Sequence, residues 1–149
     1  MTAYVAVVGP GEATGEETRT AADVGRRLAT AGAVVVCGGL GGVMEGACRG
    51  AKEAGGTTVG ILPGPDRAAA NEFVDVAIAT GLGEARNALV VRAADALIAI
   101  GGSWGTLSEI ALALRTGKRV IGLGTWDLPR EGVEPAGDAA AAVALALSA

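Results

Sequence analysis

Apolar and polar positions along this chain alternate between two regimes. Short continuous apolar runs rich in Val and Ile recur, separated by longer stretches whose apolar residues repeat with a helical period. Tyr4–Val8 reads as a buried strand, cut by Gly9-Pro10-Gly11. A helix is expected from Glu16 to Ala31, entered through Thr14-Gly15-Glu16-Glu17, a capping-box pattern. Ala33–Cys37 is the second strand, Gly38–Gly42 a glycine loop and Val43–Ala54 a helix. Thr57–Leu62 is a strand ended by Pro63-Gly64-Pro65, and Val74–Ala79 a shorter one. Leu82–Ala93 reads as a helix with Leu89 and Val90 on its inner face. Ala96–Ile100 has no polar residue, as expected for a strand covered on both faces. Gly101–Gly105 is another glycine loop, Thr106–Thr116 a helix and Arg119–Leu123 a strand. Trp126–Gly137 reads as loop and Ala139–Leu147 as a terminal helix.

Strands alternating with helices of this length predict crossover units and a mostly parallel sheet. The expected fold is α/β: a Rossmann-like, doubly wound sheet flanked by helices, one domain over residues 1–149. Such sheets bind ligands beyond the carboxyl ends of their strands. The strand ends at Gly9, Gly38 and Gly101 are therefore expected to line one pocket.

Composition sharpens this picture. Half the residues are hydrophobic but only 3% are aromatic, so the core must be built from Ala, Val, Leu and Ile. The 25 glycines follow no short period and cluster where strands end. There they permit close backbone approach to something bound. The net charge of −4 argues against nucleic acid as a partner, since counterion release needs a basic face. Cys37 and Cys48 have no metal spacing and the chain has no histidine, so no metal site is expected and the pair reads as reduced core thiols. The N-terminus lacks a charged lead and a long apolar core, and no stretch approaches a membrane span. A cytoplasmic location without membrane contact is the expectation.

Three strands end in glycine, yet none of the loops fits G-x-G-x-x-G or the Walker A pattern. Their physical content survives the missing motif. A helix N-terminus offers free N–H groups and a partial positive charge, and glycine lets that backbone approach a phosphate. Two such loops on one sheet edge can grip a phosphorylated ligand from two sides. The plain alternative is that each glycine only closes a tight strand-to-helix turn.

The most specific stretch runs from Glu84 to Glu109 and contains Arg86-Asn87, Asp95 and Gly101-Gly102-Ser103-Trp104-Gly105-Thr106-Leu107-Ser108-Glu109. It resembles the "lonely guy" family of nucleotide phosphoribohydrolases, long labelled lysine decarboxylases. That family carries an Arg-Lys pair on a helix and P-G-G-x-G-T-x-x-E after a strand. Arg86 falls on the family arginine, Asp95 on the aspartate before the strand, and Gly102, Gly105, Thr106 and Glu109 on the loop positions. Gly39 to Met44 resembles the family's first phosphate loop, one residue shorter. Gly101 replaces the proline, Ser103 the second glycine and Asn87 the lysine. These departures look closer to a sister branch, the molybdenum-cofactor carrier proteins.

The resemblance implies a small phosphorylated heterocycle as ligand, either a nucleoside 5'-monophosphate or a pterin phosphate such as molybdenum cofactor, which is cargo and not a required cofactor. It also implies a homodimer, with Leu82–Ala93 and Thr106–Thr116 as the expected contact. Arg86 and Glu109 become the candidate catalytic residues. Gly9, Gly38, Gly39, Gly41, Gly42, Met44, Asn87, Gly102, Ser103, Gly105 and Thr106 become the candidate phosphate and ligand contacts. An arginine fork suits a phosphate. A carboxylate suits ribose hydroxyls or the charge that develops as a glycosidic bond breaks. Thr106-Leu107-Ser108-Glu109 is also a capping-box pattern, so a structural role for Glu109 stands beside the ligand role. Trp104 either stacks on a heterocycle or packs. Both a carrier and a hydrolase that frees the base from ribose 5-phosphate remain open at this point.

Overall fold

A computed structural model describes residues 1–128 and 132–148. Apolar runs become strands and amphipathic stretches become helices in strict alternation through the first three strands. They are β1 (Tyr4–Val8), α1 (Gly15–Thr30), β2 (Val34–Cys37), α2 (Val43–Glu53) and β3 (Thr58–Leu62). Then follow β4 (Val76–Ala79), α3 (Arg86–Ala93), β5 (Ala96–Ile100), α4 (Trp104–Arg115), β6 (Arg119–Leu123), β7 (Val133–Pro135) and α5 (Ala139–Leu147). All strands are parallel, in the order β4-β3-β2-β1-β5-β6-β7. The chain winds outward from β1 to β4, returns to β5 beside β1, and winds outward again. The order therefore reverses between β1 and β5, which is where open sheets of this kind leave a crevice.

The period-two pleat of the central strands divides the core in two. Val5 and Val7 of β1, Val35 of β2, and Ile98 and Ile100 of β5 face α1, α2 and α5. Ala6, Val8, Val36, Leu97 and Ala99 face α3 and α4. With almost no aromatic residues, the density of this core comes from close helix approach. In α1 and α2 the glycines are contact points: a methyl group on Gly25 would overlap the Ala47 carbonyl, and one on Gly50 the Ala22 carbonyl.

Three expectations are corrected. The segment read as loop from Trp126 to Gly137 contains β7; its residues 129–131 lie outside the described residues. A three-residue strand carrying Glu134 and Pro135 has no periodic signal, and it forms because β6 offers an open edge, where proline is tolerated. Leu89 was expected to face inward but is exposed, while Val90 and Val91 are buried. The reason is that Gly83–Ala85 forms a separate 3-10 turn, so α3 starts only at Arg86 and its buried face is set from there. Helix α4 starts at Trp104 rather than Thr106, because Ser103 supplies the cap. Among the described residues no helix is long and apolar enough to cross a membrane.

Candidate functional site

Adjacency of β2, β1 and β5 brings their glycine loops to one edge of the sheet. The loops after β1 and β2 are in contact: Val43 N–H donates to Pro10 O at 3.0 Å, and a methyl on Gly42 would overlap the Pro10 and Gly11 carbonyls. Gly41 lies close to the same Gly11 carbonyl. A methyl on Gly9 would stand 2.7 Å from Val43 and would crowd the Ile100 carbonyl at the end of β5. The three strand ends thus meet at one edge of the sheet. Gly101 opens onto a cleft of about 530 Å³ on the α1–α5 side, whereas Gly38 faces α3.

The departure of Gly101 from proline has a local cause. Gly101 has φ +67°, which proline cannot adopt, and the Glu17 carboxylate occupies the space a side chain would need. Glu17 is held there by α1's capping box, in which Thr14 Oγ1 accepts Glu17 N–H and Glu17 Oε1 accepts Thr14 N–H.

Arg86 opens α3, and its guanidinium lies over the backbone of Gly38. A methyl at position 38 would stand 2.8 Å from Arg86 Nη2 and 2.7 Å from Met44 Sδ, so a larger residue there would displace the ends of both side chains. Arg86 Nη1 donates to Asn87 Oδ1, and Asn87 Nδ2 donates to Ser108 Oγ of α4 at 3.1 Å. Asn87, expected as a ligand contact, is thus engaged at both ends of its amide as a brace between α3 and α4. Arg86 Nε is buried and has no hydrogen-bond partner among the described residues. Burial pulls the guanidinium below its ordinary pKa, partly offset by the charge of Glu109.

Glu109 is only 6% exposed. The capping box expected for it does not form. Ser103 Oγ accepts Thr106 N–H at 3.2 Å, so Thr106 occupies the third helical position, and Glu109 is carried a turn further in. Ser103 Oγ and Thr106 Oγ1 also share a 2.8 Å hydrogen bond, and Thr106 is buried. These two side chains are committed to the start of α4, which leaves the backbone of Gly102 and Gly105 as the loop's open elements. Among the described residues no hydrogen bond reaches the Glu109 carboxyl, and burial raises its pKa to about 7 against the opposing pull of Arg86. Two side chains of opposite charge, Arg86 and Glu109, therefore lie close enough to act on one another's ionisation.

Trp104 is 79% exposed and does not pack in the core. Its indole tilts against Trp126 at a centroid distance of 5.3 Å. Trp126 Nε1 donates to Ser103 O at 3.1 Å, and its indole lies beside the exposed Gly102. A residue that sequence reasoning passed over, Asn71, fixes the second loop. Its N–H donates to Gly39 O at 2.9 Å and its Nδ2 to Leu40 O at 2.9 Å, while its Oδ1 accepts Phe73 N–H. The only signal was an asparagine at a turn, where it readily bonds the backbone two residues on.

Charge ranks the clefts more usefully than size does. The 530 Å³ cleft is lined by Glu16, Glu17, Asp23 and Asp138 against the single Arg19, a poor setting for a phosphate. A second cleft of about 510 Å³ lies between α3 and α4 and is bordered by Glu84, Asn87, Trp104, Gly105 and Ser108, with Glu84 its one charged residue. It adjoins the brace that holds Arg86. With one carboxylate in its lining against four, and Arg86 beside its brace, the α3–α4 side is the less acidic of these two settings.

A sequence profile of the SLOG cluster4 family matches residues 2–146. An uncharacterized protein of Archaeoglobus fulgidus is 50% identical over 119 residues, covering 80% of this chain and 78% of that protein. The structure of the molybdenum cofactor binding protein from the phototrophic bacterium Rippkaea orientalis superposes with a TM-score of 0.91 at 40% identity, covering 97% of this chain and 95% of that one. The molybdenum cofactor carrier protein of Chlamydomonas reinhardtii superposes with a TM-score of 0.88 at 39% identity, covering 97% and 96%.

Proposed function

This chain belongs to the SLOG cluster4 family, and from that premise we propose that it holds a small phosphorylated heterocycle and carries it without cleaving it. A pterin phosphate such as molybdenum cofactor is the favoured cargo, and a nucleoside 5'-monophosphate the alternative. The observation that carries this reading is the pairing of Arg86, whose Nε is buried without a partner among the described residues, with the buried Glu109, whose charge bears on the guanidinium. A buried donor left unmade is costly, and a phosphate oxygen is the group that satisfies a guanidinium most strongly. The backbone of Gly102 and Gly105 at the start of α4, with its partial positive charge, supports the same phosphate. Gly38–Gly42, with Met44 beside Gly38, forms the opposing wall. Glu109 then accepts an N–H or O–H from the heterocycle or sugar. The similarity to molybdenum cofactor binding and carrier proteins supports the pterin over the nucleotide.

One observation favours a second reading. A carboxyl with a pKa near 7 is well poised for general acid or base work, so hydrolysis of a nucleoside monophosphate to base and ribose 5-phosphate is the rival. Against it, Asn87 stands where the hydrolases carry lysine, and its amide is occupied by Arg86 and Ser108. In either case the exposed Leu82, Leu89 and Trp104 on the α3–α4 side are the surface proposed for a second copy of the chain. The deciding experiment is titration calorimetry of the purified protein with AMP, GMP and CMP, followed by chromatography of the same samples for free base. Binding without release of base is expected. Multiple turnovers of base per protein would overturn the carrier and establish the hydrolase.

A further inference from the structure

We propose that Cys37 and Cys48 are a reversible disulfide site that controls the Gly38–Gly42 loop, a role that rests on that loop gripping the ligand as inferred above. Cys37 ends β2 and Cys48 lies on α2, so the two residues bracket the whole loop. Their Sγ atoms are 3.5 Å apart, and both thiols are free and fully buried. A disulfide bond is about 2.05 Å long, so the sulfurs need to close by roughly 1.5 Å.

The two thiols are not equivalent. Cys37 Sγ accepts the Gly39 N–H at 3.3 Å and shares a hydrogen bond with Cys48 Sγ in which either sulfur can donate. The Cys48 hydrogen bond, the Gly39 N–H and the nearby Arg86 charge together draw the Cys37 pKa down despite its burial. Cys48 is pushed up by the same pairing and keeps its proton. One partner is set up as the nucleophile and the other as the resolving thiol. Burial excludes bulky disulfide oxidants and selects a small neutral hydroperoxide. The Cys37 thiolate attacks the peroxide, the O–O bond breaks, and hydroxide leaves, giving a sulfenic acid. The Cys48 thiol then attacks that sulfur, forming the S–S bond and releasing water. The two thiols lose two electrons, and the peroxide gains them.

Oxidation reaches the site through Gly39. When Cys37 Sγ moves toward Cys48 and becomes a neutral disulfide sulfur, the Gly39 N–H loses its acceptor. Gly39 is the residue whose carbonyl Asn71 holds, and it follows Gly38, on which Arg86 rests. The loop loses its internal clamp at the point where it meets the arginine.

The test is treatment of the wild-type protein with hydrogen peroxide, read by intact mass, by thiol titration after unfolding, and by calorimetry with AMP. Expected are a mass lower by two hydrogens, loss of both thiols, and AMP affinity reduced about tenfold, all restored by dithiothreitol. Cys48→Ser should bind AMP like the reduced protein and, under peroxide, should gain oxygen on Cys37 without forming a disulfide. In the wild type, thiols that persist, or that gain oxygen without pairing, would overturn the disulfide site. A disulfide that leaves AMP affinity unchanged would overturn its control of the loop. If the reduced protein binds no AMP, the ligand reading itself fails, while mass and thiol count still decide whether the disulfide forms.

Discussion

Replacing Arg86 with alanine is expected to weaken binding of a nucleoside 5'-monophosphate on the order of 100-fold, the equivalent of one strong charge-assisted contact. Binding of the matching unphosphorylated nucleoside should change by less than about threefold. The asymmetry follows from the site. The guanidinium is pressed onto Gly38 and braced by Asn87, and its buried Nε has no partner among the described residues to lose. Truncation removes the ligand's partner and little internal structure. Arg86→Lys should fall between, because a lysine keeps the charge but not the planar fork that Asn87 orients. Calorimetry with AMP and adenosine on the three proteins makes the comparison. Equal weakening of both ligands would show that Arg86 shapes the loop rather than holding a phosphate.

Glu109→Gln should raise the stability of the unliganded protein at pH 8 by about 2–3 kcal/mol and flatten its pH dependence. The pKa of Glu109 is raised in the folded state, from an ordinary 4.5 to about 7, by burial against the weaker pull of Arg86. Between those values the folded protein holds a proton that the unfolded chain has released. Wild-type stability therefore falls as pH rises from about 4.5 to about 7, and stays low above it. Glutamine remains neutral throughout and is nearly the same size. Urea unfolding at pH 5, 6, 7 and 8 reads the effect directly. A wild-type stability that rises over this window would mean that Glu109 is ionised and well paired in the folded protein. For the carrier, the same variant should still bind AMP. For the hydrolase it should lose turnover by roughly 100-fold or more.

The legible part of this fold was its regular part. β1, β5 and β6 were bounded correctly because each is a continuous apolar run stopped by glycine, or by a polar residue at its start. What escaped depends on contacts between distant segments. β7 exists because β6 has a free edge, which no local pattern announces. The start of α4 turned on competition between two potential caps, Ser103 and Thr106. Thr106-Leu107-Ser108-Glu109 is the better motif on paper, but Ser103 comes first, captures the Thr106 amide and carries Glu109 into the interior. That displacement is what leaves Glu109 buried, with no hydrogen bond among the described residues. Arg86 was legible only through its place in a spaced motif, and Gly38, on which it rests, lies far away in sequence. Asn71 was invisible because it clasps the loop at Gly39 and Leu40 from across a strand connection.

The most direct test of the central claim is a crystal structure of the protein with AMP. The account predicts the phosphate within hydrogen-bonding distance of Arg86 and of the backbone N–H groups at the start of α4, with the glycosidic bond intact and Glu109 bonded to the sugar or base. A phosphate bound in the acidic cleft beside Glu16, Glu17 and Asp138, with Arg86 and Glu109 untouched, would contradict it.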